Sequence, residues 1–118
     1  MNILYEIKNR QLLNKGKPLK QLVDGSPIYR FYSAESGYIL PNHEAELISG
    51  VIVEMPAKYK GIIKSCIKNE KAQHLKTQTY EINSYQSSPL CLKVKNISNS
   101  PIEIKIGEPI GTLTVIEK

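Results

Sequence analysis

Hydrophobic and polar residues alternate along most of the chain, a pattern typical of β-strands with one buried face. The stretch YRFYSAESGYILP, residues 29–41, predicts a strand, a short turn and a second strand. The first of these strands carries Tyr29, Phe31 and Ser33 on one side and places Arg30 between the two aromatic residues. An arginine there is either a solvated strand residue or a functional one.

Four further stretches, residues 47–56, 61–68, 90–98 and 102–116, follow the same alternation. In residues 47–56, one face carries Val51 and Val53. In residues 90–98, the predicted inward positions are Leu90, Leu92 and Val94, and the predicted outward positions are Cys91, Lys93 and Lys95. In residues 102–116, the residues predicted to share one face are Ile102, Ile104 and Ile106.

Turn-forming residues separate these stretches at intervals of about ten residues, as in all-β barrels and sandwiches. Two segments do not alternate. Residues 9–25 predict a helical turn that Gly16 and Pro18 interrupt, and the polar residues 68–79 predict a loop or a short helix. With no repeat, linker or low-complexity tract, the sequence predicts one all-β domain, residues 1–118.

Composition narrows the setting of this domain. The chain is 41% hydrophobic, and its formal net charge of +5 comes from scattered rather than clustered basic residues, so we expect no specific nucleic-acid surface. The N-terminus has no secretory signal pattern, and no apolar run approaches the ~18 residues of a membrane span. These features predict a cytoplasmic protein, with Cys66 and Cys91 as reduced, buried packing groups.

Signatures of catalysis and cofactor binding are missing from the sequence. There is no glycine-rich phosphate loop, and His43 and His74, the only histidines, lie at no metal-ligand spacing. No serine-nucleophile motif and no carboxylate pair suited to acid–base chemistry stand out. We therefore expect no metal site and no cofactor, and surface positions for both histidines.

Three stretches nevertheless resemble the dUTPase (deoxyuridine triphosphatase) family, in its order and at nearly its spacing, over residues 27–118. The C-terminal stretch VKNISNSPIEIKIGEPIGTLTV matches the family at Asn96, Ser98, Pro101, Ile102, Ile104, Gly107, Ile110 and Leu113. The central stretch LPNHEAELISGVIVEMPAKYKGIIK matches it at Pro41, Glu44, Leu47, Gly50, Pro56, Tyr59 and Gly61. The opening stretch matches the family's first motif at Tyr29, Tyr32, Ser33, Ala34 and Glu35.

The resemblance implies a jelly-roll-like (β-clip) barrel that assembles as a homotrimer. It also implies active sites between subunits, which cleave dUTP to dUMP and pyrophosphate with magnesium. Residues 1–26 precede the match, and the family is one whose subunits exchange terminal segments. The glycine-rich C-terminal arm that closes over the nucleotide in the family has no counterpart before Lys118.

Positions that hold metal and phosphate in the family are substituted in this chain. Arg30 stands where the family has an aspartate that helps to hold the metal–triphosphate assembly, and a fixed positive charge repels a divalent cation. Ser65 and Cys66 stand in the phosphate-gripping motif that follows Lys64. In the fourth motif, Arg-Ile-Ala-Gln of the family is replaced by residues 109–112, which end in Thr112.

The positions that activate water and select the sugar are substituted as well. Asn83 replaces the aspartate that activates the attacking water, and an amide does not accept a proton at useful pH. Gln86 replaces the tyrosine that selects deoxyribose, with Tyr85 one place early. The resemblance therefore predicts that the fold is kept and that hydrolysis is lost.

We expect the chain to be a non-catalytic binder of a nucleotide or a nucleotide-derived signal, of a kind that lets a phage or virus sequester a signal in the host cytoplasm. Arg30 and Lys64 are the candidate phosphate ligands, because a guanidinium binds phosphate oxygens directly and in pairs, with Lys68 as a third cation. Asn83, Tyr85 and Gln86 are the candidates for contacts with a base or sugar.

Two alternatives remain open at this stage. The chain is alternatively a trimeric protein–protein interaction or scaffold module that binds a host protein, with Asn83 and Gln86 as turn residues and Arg30 facing solvent or a partner. A divergent hydrolase or deaminase of the same fold is the third hypothesis.

Overall fold

The computed structural model describes residues 8–11, 20–21, 26–68 and 70–117. These residues form eleven strands and one short helix: β1 (Lys8–Gln11), β2 (Lys20–Gln21), β3 (Ile28–Tyr32), β4 (Gly37–Ile39), β5 (Glu44–Glu54), β6 (Tyr59–Ser65), α1 (Glu70–His74), β7 (Leu75–Thr77), β8 (Tyr80–Ile82), β9 (Ser87–Asn96), β10 (Ile102–Ile104) and β11 (Pro109–Glu117). The described part of the chain is therefore all-β apart from α1, as the alternation predicts.

The strands form three sheets in which every pair is antiparallel. One sheet has the order β1-β5-β9-β7, a second the order β2-β3-β11-β6-β8, and a two-stranded ribbon pairs β10 with β4. Strand β11 lies at the centre of the five-stranded sheet, between β3 and β6. This position makes the last described strand of the chain the element that connects the first and second family-like stretches.

The inward faces of all three sheets meet in one hydrophobic cluster. Alternate residues of β3 supply Tyr29 and Phe31, both 0% exposed, and β5 supplies Val51 and Val53 in the same alternate phase. Burial of this apolar surface is the main stabilising contribution to such a fold. The period-two pattern therefore predicted the core side of these strands correctly.

A bulge bends β5 in the middle of its pairing with β9. The register shifts between Ile48 and Ile52, and Gly50 lies there with a φ of 74°, a conformation that L side chains rarely adopt. Ser49 is buried and donates its hydroxyl to the Leu90 carbonyl at 2.7 Å. The family-like glycine at position 50 thus has a backbone role.

Buried Asn96 holds the connection from β9 to β10. Its amide nitrogen donates to the carbonyls of Ile39 and Ser100, each at 2.8 Å, and its amide oxygen accepts from the Ser98 amide at 2.9 Å and from the Ser98 hydroxyl at 2.7 Å. An asparagine with these partners is satisfied although it is fully buried. The family-like positions 96 and 98 therefore shape a loop.

Alternation misjudges the exposure of two residues. Cys91 keeps its outward phase, outside the hydrophobic cluster, but it is buried rather than exposed, because Tyr80 and Glu46 cover its side of the sheet. Ile106 is 44% exposed rather than in phase with Ile102 and Ile104, because β10 ends at Ile104 and a turn follows.

The remaining secondary-structure predictions fare unevenly. In the predicted helical turn of residues 9–25, residues 9–11 and 20–21 are strand, and residues 12–19 and 22–25 lie outside the described residues. Residues 70–74 form the predicted short helix, and His43 and His74 are exposed as predicted. The strand predicted over residues 61–68 ends at Ser65. No helix in the described ranges has the length and apolar character needed to cross a membrane.

Candidate functional site

Arg30 and Lys64 lie on one face of the five-stranded sheet. Thr112 of β11 is in register with Arg30 on β3 and with Lys64 on β6. Residues directly opposite in antiparallel strands project from the same face, and neighbouring strands are about 4.8 Å apart, so the two basic residues are separated by about 10 Å at their backbones. Two candidates that are 34 positions apart in the chain are thus brought together by strand pairing.

An open cleft of about 860 Å³ lies beside Arg30, where β6 and β11 meet α1. The end of β6 is held beside β11 because the Cys66 amide donates to the Ile110 carbonyl at 3.0 Å. The titratable residues that line the cleft are Arg30, Cys66, Lys68, Glu70, Lys71 and Glu108. Lys64 is exposed and is not among the residues that line this cleft, whereas Lys68 and Lys71 add positive charge to its wall.

Arg30 is half-buried, which separates it from an ordinary solvated strand residue. Its Nε is buried and has no hydrogen-bond partner among the described residues. A buried donor without a partner costs free energy, on the order of 1–3 kcal/mol, until an acceptor reaches it. An anion with several oxygens that enters the cleft supplies such an acceptor, and the guanidinium presents its donors in a planar fork.

A salt bridge crosses the other side of the cleft. Lys71 of α1 donates to both carboxylate oxygens of Glu108, at 3.0 Å each, and both side chains are partly buried. By contrast, Arg30 and Lys68 make no ion pair with any residue in the described ranges. Two of the three cations that line the cleft are therefore uncommitted.

Cys66 lies in the cleft and is partly exposed, so the prediction of a buried packing group is wrong for this thiol. Burial raises the pKa of the Cys66 thiol, and the positive charges of Arg30 and Lys68 oppose that rise. The thiol is consequently protonated at neutral pH. It serves as a chemical reporter of the cleft rather than as an activated nucleophile.

Cys91, by contrast, is buried as predicted and is held in a small polar cluster on the other sheet. Its thiol donates to Glu46 Oε1 at 3.0 Å, and the Tyr80 hydroxyl donates to the Cys91 carbonyl at 2.7 Å. Burial and, next, the hydrogen bond to Glu46 raise the pKa of the Cys91 thiol. Burial is also the main reason that the pKa of Tyr80 is raised.

Alkylation of the native protein is expected to modify Cys66 and to spare Cys91. Because both pKa values are raised, the rate at Cys66 should be low near pH 7 and should increase as the pH rises above about 9, the range in which an ordinary or raised thiol ionises. Replacing Arg30 by glutamine removes a charge that lowers the Cys66 pKa. In that variant, the increase in the alkylation rate of Cys66 should therefore begin at a higher pH than in the wild-type protein. Mass spectrometry of iodoacetamide-treated protein, with and without denaturant, measures both sites. Faster reaction at Cys91 than at Cys66 in the native protein would contradict this prediction.

The other three candidates, Asn83, Tyr85 and Gln86, form the turn between β8 and β9. The Gln86 side-chain oxygen accepts from the Asn83 amide at 2.7 Å, and the Gln86 amide donates to the Asn83 carbonyl at 3.1 Å. The Met55 backbone bonds to Tyr85 at 2.9 Å and to Gln86 at 3.0 Å. Gln86 is thus committed to the turn through its side-chain oxygen. Its side-chain nitrogen and the exposed Asn83 side chain stay accessible.

Tyr85 is the most exposed large hydrophobic residue in the described ranges, at 79%, and it has a φ of 66°. A bulky residue with positive φ is strained, and such strain is found most often at functional sites and turns. The backbone bonds between Met55 and residues 85 and 86 hold the turn in this conformation, so the Tyr85 side chain projects from a fixed point of the backbone.

One chain does not bring all the candidates together. The turn of residues 83–86 lies at the Tyr59 end of β6, where Ser84 donates to the Tyr59 carbonyl at 2.8 Å, whereas the cleft lies at the Ser65 end. Six residue steps of a strand span about 20 Å. The residues near Arg30 and those near Tyr85 are therefore at opposite ends of one strand.

The described residues do not fit the metal site that the family resemblance implies. The sequence resemblance aligns Arg30 with the family's metal-associated aspartate, and no three histidine, cysteine, aspartate or glutamate side chains gather among the residues that the structure describes. A magnesium ion requires oxygen ligands or partners for its bound waters. We therefore assign no step of any reaction to a metal.

Sequence reasoning missed Lys71 and Glu108 and misplaced Cys66. These residues lie in a polar segment, a turn and a strand end, where no period-two pattern distinguishes inward from outward positions. The register of β3, β11 and β6 brings the strand ends next to Cys66 and Glu108 to one edge, and Lys71 reaches Glu108 there from α1.

Comparison with known proteins identifies the fold. No family model matches the sequence, and no curated protein matches it significantly. A mutant dUTPase of Staphylococcus bacteriophage 80alpha, solved with dUpNHpp, aligns with a TM-score of 0.79 over 95% of this chain and 90% of that chain, at 20% identity. A mutant dUTPase of phage phi11 of S. aureus, whose structure reveals the coordination of a structural Mg(II) ion, aligns with a TM-score of 0.82 over 95% of this chain and 90% of that chain, at 17% identity.

Proposed function

We propose that this chain, which has the all-β fold of phage dUTPases, binds the phosphate of a nucleotide or nucleotide-derived signal without hydrolysing it. The observation that carries this proposal is Arg30. Its half-buried guanidinium has a buried Nε with no hydrogen-bond partner in the described ranges, and it lines an open cleft of about 860 Å³ with Lys68. An arginine so placed binds phosphate oxygens directly and needs no metal to bridge them.

The absence of hydrolysis follows from the chemistry of the substituted residues. The resemblance aligns Asn83 with the family's water-activating aspartate, and a neutral amide is not a general base. Arg30 disfavours a divalent cation at the position where the family uses one. Binding without turnover suits a protein that sequesters a signal, including a phage protein that acts in its host's cytoplasm.

The same proposal includes a homotrimer with ligand sites between subunits. The residues beside Arg30 and the turn that carries Asn83, Tyr85 and Gln86 lie about 20 Å apart along β6, estimated from the rise of a strand. A nucleotide phosphate held at Arg30 therefore contacts this turn most readily when the turn belongs to another subunit.

Wild-type protein is expected to bind nucleotides at low salt with the same affinity, within about threefold, in EDTA and in magnesium, because cationic side chains rather than a metal bind the phosphate. Isothermal titration calorimetry with dUMP, dUDP and dUTP measures this affinity. Native mass spectrometry of the same samples is expected to show three chains with bound nucleotide. A parallel assay with dUTP should detect no enzymatic release of pyrophosphate.

Two results would count against this function. Pyrophosphate release at roughly 1 s⁻¹ or faster, a rate typical of enzymes, would show that hydrolysis persists. Absence of calorimetric heat with every nucleotide at low salt, together with absence of co-purifying small molecules, would remove the ligand-binding proposal.

A second candidate function, a protein–protein interaction module, is favoured by Tyr85. Its ring is 79% exposed on a turn with a fixed backbone, and tyrosine is among the residues that most often dominate protein interfaces. The structurally similar 80alpha proteins are described as phage dUTPases that control transfer of virulence genes by a proto-oncogenic G protein-like mechanism. In native mass spectrometry, this function predicts an assembly that retains a protein and carries no nucleotide.

A further inference from the structure

Glu108 is held rigidly at the edge of the Arg30 cleft. Its backbone carbonyl accepts from the Ser33 amide at 2.8 Å, at the end of β3, and its own amide donates to the Lys105 carbonyl at 3.0 Å. Its side chain accepts from the Lys105 amide at 3.1 Å and holds Lys71 with both oxygens. The carboxylate therefore has a fixed position that a ligand does not easily displace.

The charges that line the cleft are nearly balanced. Three cations, Arg30, Lys68 and Lys71, face two carboxylates, Glu70 and Glu108, which leaves a net charge of only +1. Because Lys71 is paired with Glu108, the uncommitted cations are Arg30 and Lys68. Glu70, which is exposed, offsets part of this charge. Arg30 and Lys68 can still contact one phosphate group, whereas a triphosphate carries about four negative charges and, without a metal, finds too few cations here.

We propose that Glu108 sets the number of phosphate groups that the cleft accepts, and that it limits the ligand to one. This inference rests on the proposed phosphate-binding function and specifies its ligand class as a phosphate monoester, such as a nucleoside monophosphate. Arg30 and Lys68 bind the single phosphate. Glu108 repels a second phosphate and also keeps Lys71 from binding it.

The Glu108 carboxylate acts against a second phosphate in two ways at once. A carboxylate at the cleft edge disfavours another negative charge nearby, and this repulsion is stronger in a partly buried site than in water. The paired Lys71 ammonium is also neutralised, so a second phosphate finds no free cation on that wall. Removing the charge of Glu108 while keeping its shape should therefore free one cation and remove one repulsion together.

Inorganic phosphate, pyrophosphate and tripolyphosphate test this idea, because they differ in phosphate number and carry no base. Protection of Cys66 from alkylation, measured in EDTA at low salt, reports occupancy of the cleft in which this thiol lies. In wild-type protein, pyrophosphate and tripolyphosphate should bind no more than about threefold more tightly than phosphate. In Glu108→Gln, the pyrophosphate-to-phosphate affinity ratio should rise about tenfold.

Matched variants separate this mechanism from a general change in charge. The glutamine oxygen still accepts from the Lys105 amide, so Glu108→Gln preserves the turn, and a thermal melt checks its folding. The double variant Glu108→Gln, Lys71→Gln should lose the gain, because Lys71 is the cation that is released. Glu44→Gln removes an exposed carboxylate from the other sheet and should leave all affinities unchanged.

The outcomes distinguish a failure of the role inferred for Glu108 from a failure of the proposed phosphate-binding function. Wild-type affinities that rise tenfold or more with each added phosphate, or an unchanged ratio in Glu108→Gln, would overturn the role of Glu108 and leave phosphate binding intact. Protection of Cys66 by none of the three anions in either protein would overturn both proposals.

Discussion

Replacing Arg30 by glutamate is expected to weaken the binding of any phosphate-bearing ligand by at least about 100-fold, or ~3 kcal/mol, because a partly buried, bidentate partner of the phosphate becomes a repelling carboxylate. Arg30→Lys should lose less, about tenfold, since it keeps the charge and loses the planar fork. Calorimetry at low salt with the tightest-binding nucleotide of the wild-type protein measures both changes.

The control for Arg30→Glu makes an equal change in charge at a position that does not line the cleft. Lys95 is exposed on β9 in the other sheet, and Lys95→Glu alters the net charge by the same amount. When both variants are also measured at 0.1 M salt, we expect Lys95→Glu to bind within about threefold of wild type, because exposed charges farther apart than the Debye length, about 10 Å at that salt concentration, are largely screened. Equal losses in both variants, or an unchanged affinity in Arg30→Glu, would refute a specific role for Arg30.

Replacing Gly111 by alanine is expected to destabilise the fold by about 3 kcal/mol or more, because overpacking of a rigid core forces neighbours to shift. A Cβ at position 111 would overlap the ring of Phe31, whose Cε1 and Cε2 atoms would lie 2.7 and 2.8 Å away. Phe31 is 0% exposed, so its ring cannot move away from position 111 without displacing other core side chains. Urea denaturation followed by circular dichroism measures the loss as a change in the free energy of unfolding.

Another glycine of the chain provides the control for this substitution. A Cβ at Gly37 of β4 meets nothing within 4 Å, so Gly37→Ala should change the free energy of unfolding by less than about 1 kcal/mol. The smaller side chain of Phe31→Leu should recover part of the loss in the double variant with Gly111→Ala, since the two residues are in contact. A Gly111→Ala protein as stable as wild type would show that the ring of Phe31 moves freely.

The strands and the core of this protein were largely predictable because alternation is a local property of the chain. Tyr29 and Phe31 on one side of β3 are fully buried, and so is their counterpart pair Val51 and Val53 on β5. The failures occur where a neighbour decides the outcome. Cys91 points outward by its phase and is buried nonetheless, because Tyr80 and Glu46 from other strands cover it.

The candidate site was predictable in part. Arg30 and Lys64 lie on one face of the sheet through their register with Thr112, but only Arg30 lines the cleft, so their joint role in phosphate binding stays a prediction. Asn83, Tyr85 and Gln86 do not join them within one chain. Their link to the Arg30 cleft stays a prediction about the assembled protein.

By itself the sequence determined the all-β character and the inward face of most strands. These features depend on residue identity and on the period of two that strand geometry imposes along the backbone. Only the tertiary structure decided which charges meet, as when Lys71 pairs with Glu108 from 37 positions away and leaves Arg30 uncommitted. The physical reason is that contacts between residues distant in sequence depend on strand register and sheet packing. Both are set by interactions throughout the core, and they leave no periodic signal at the residues that come into contact.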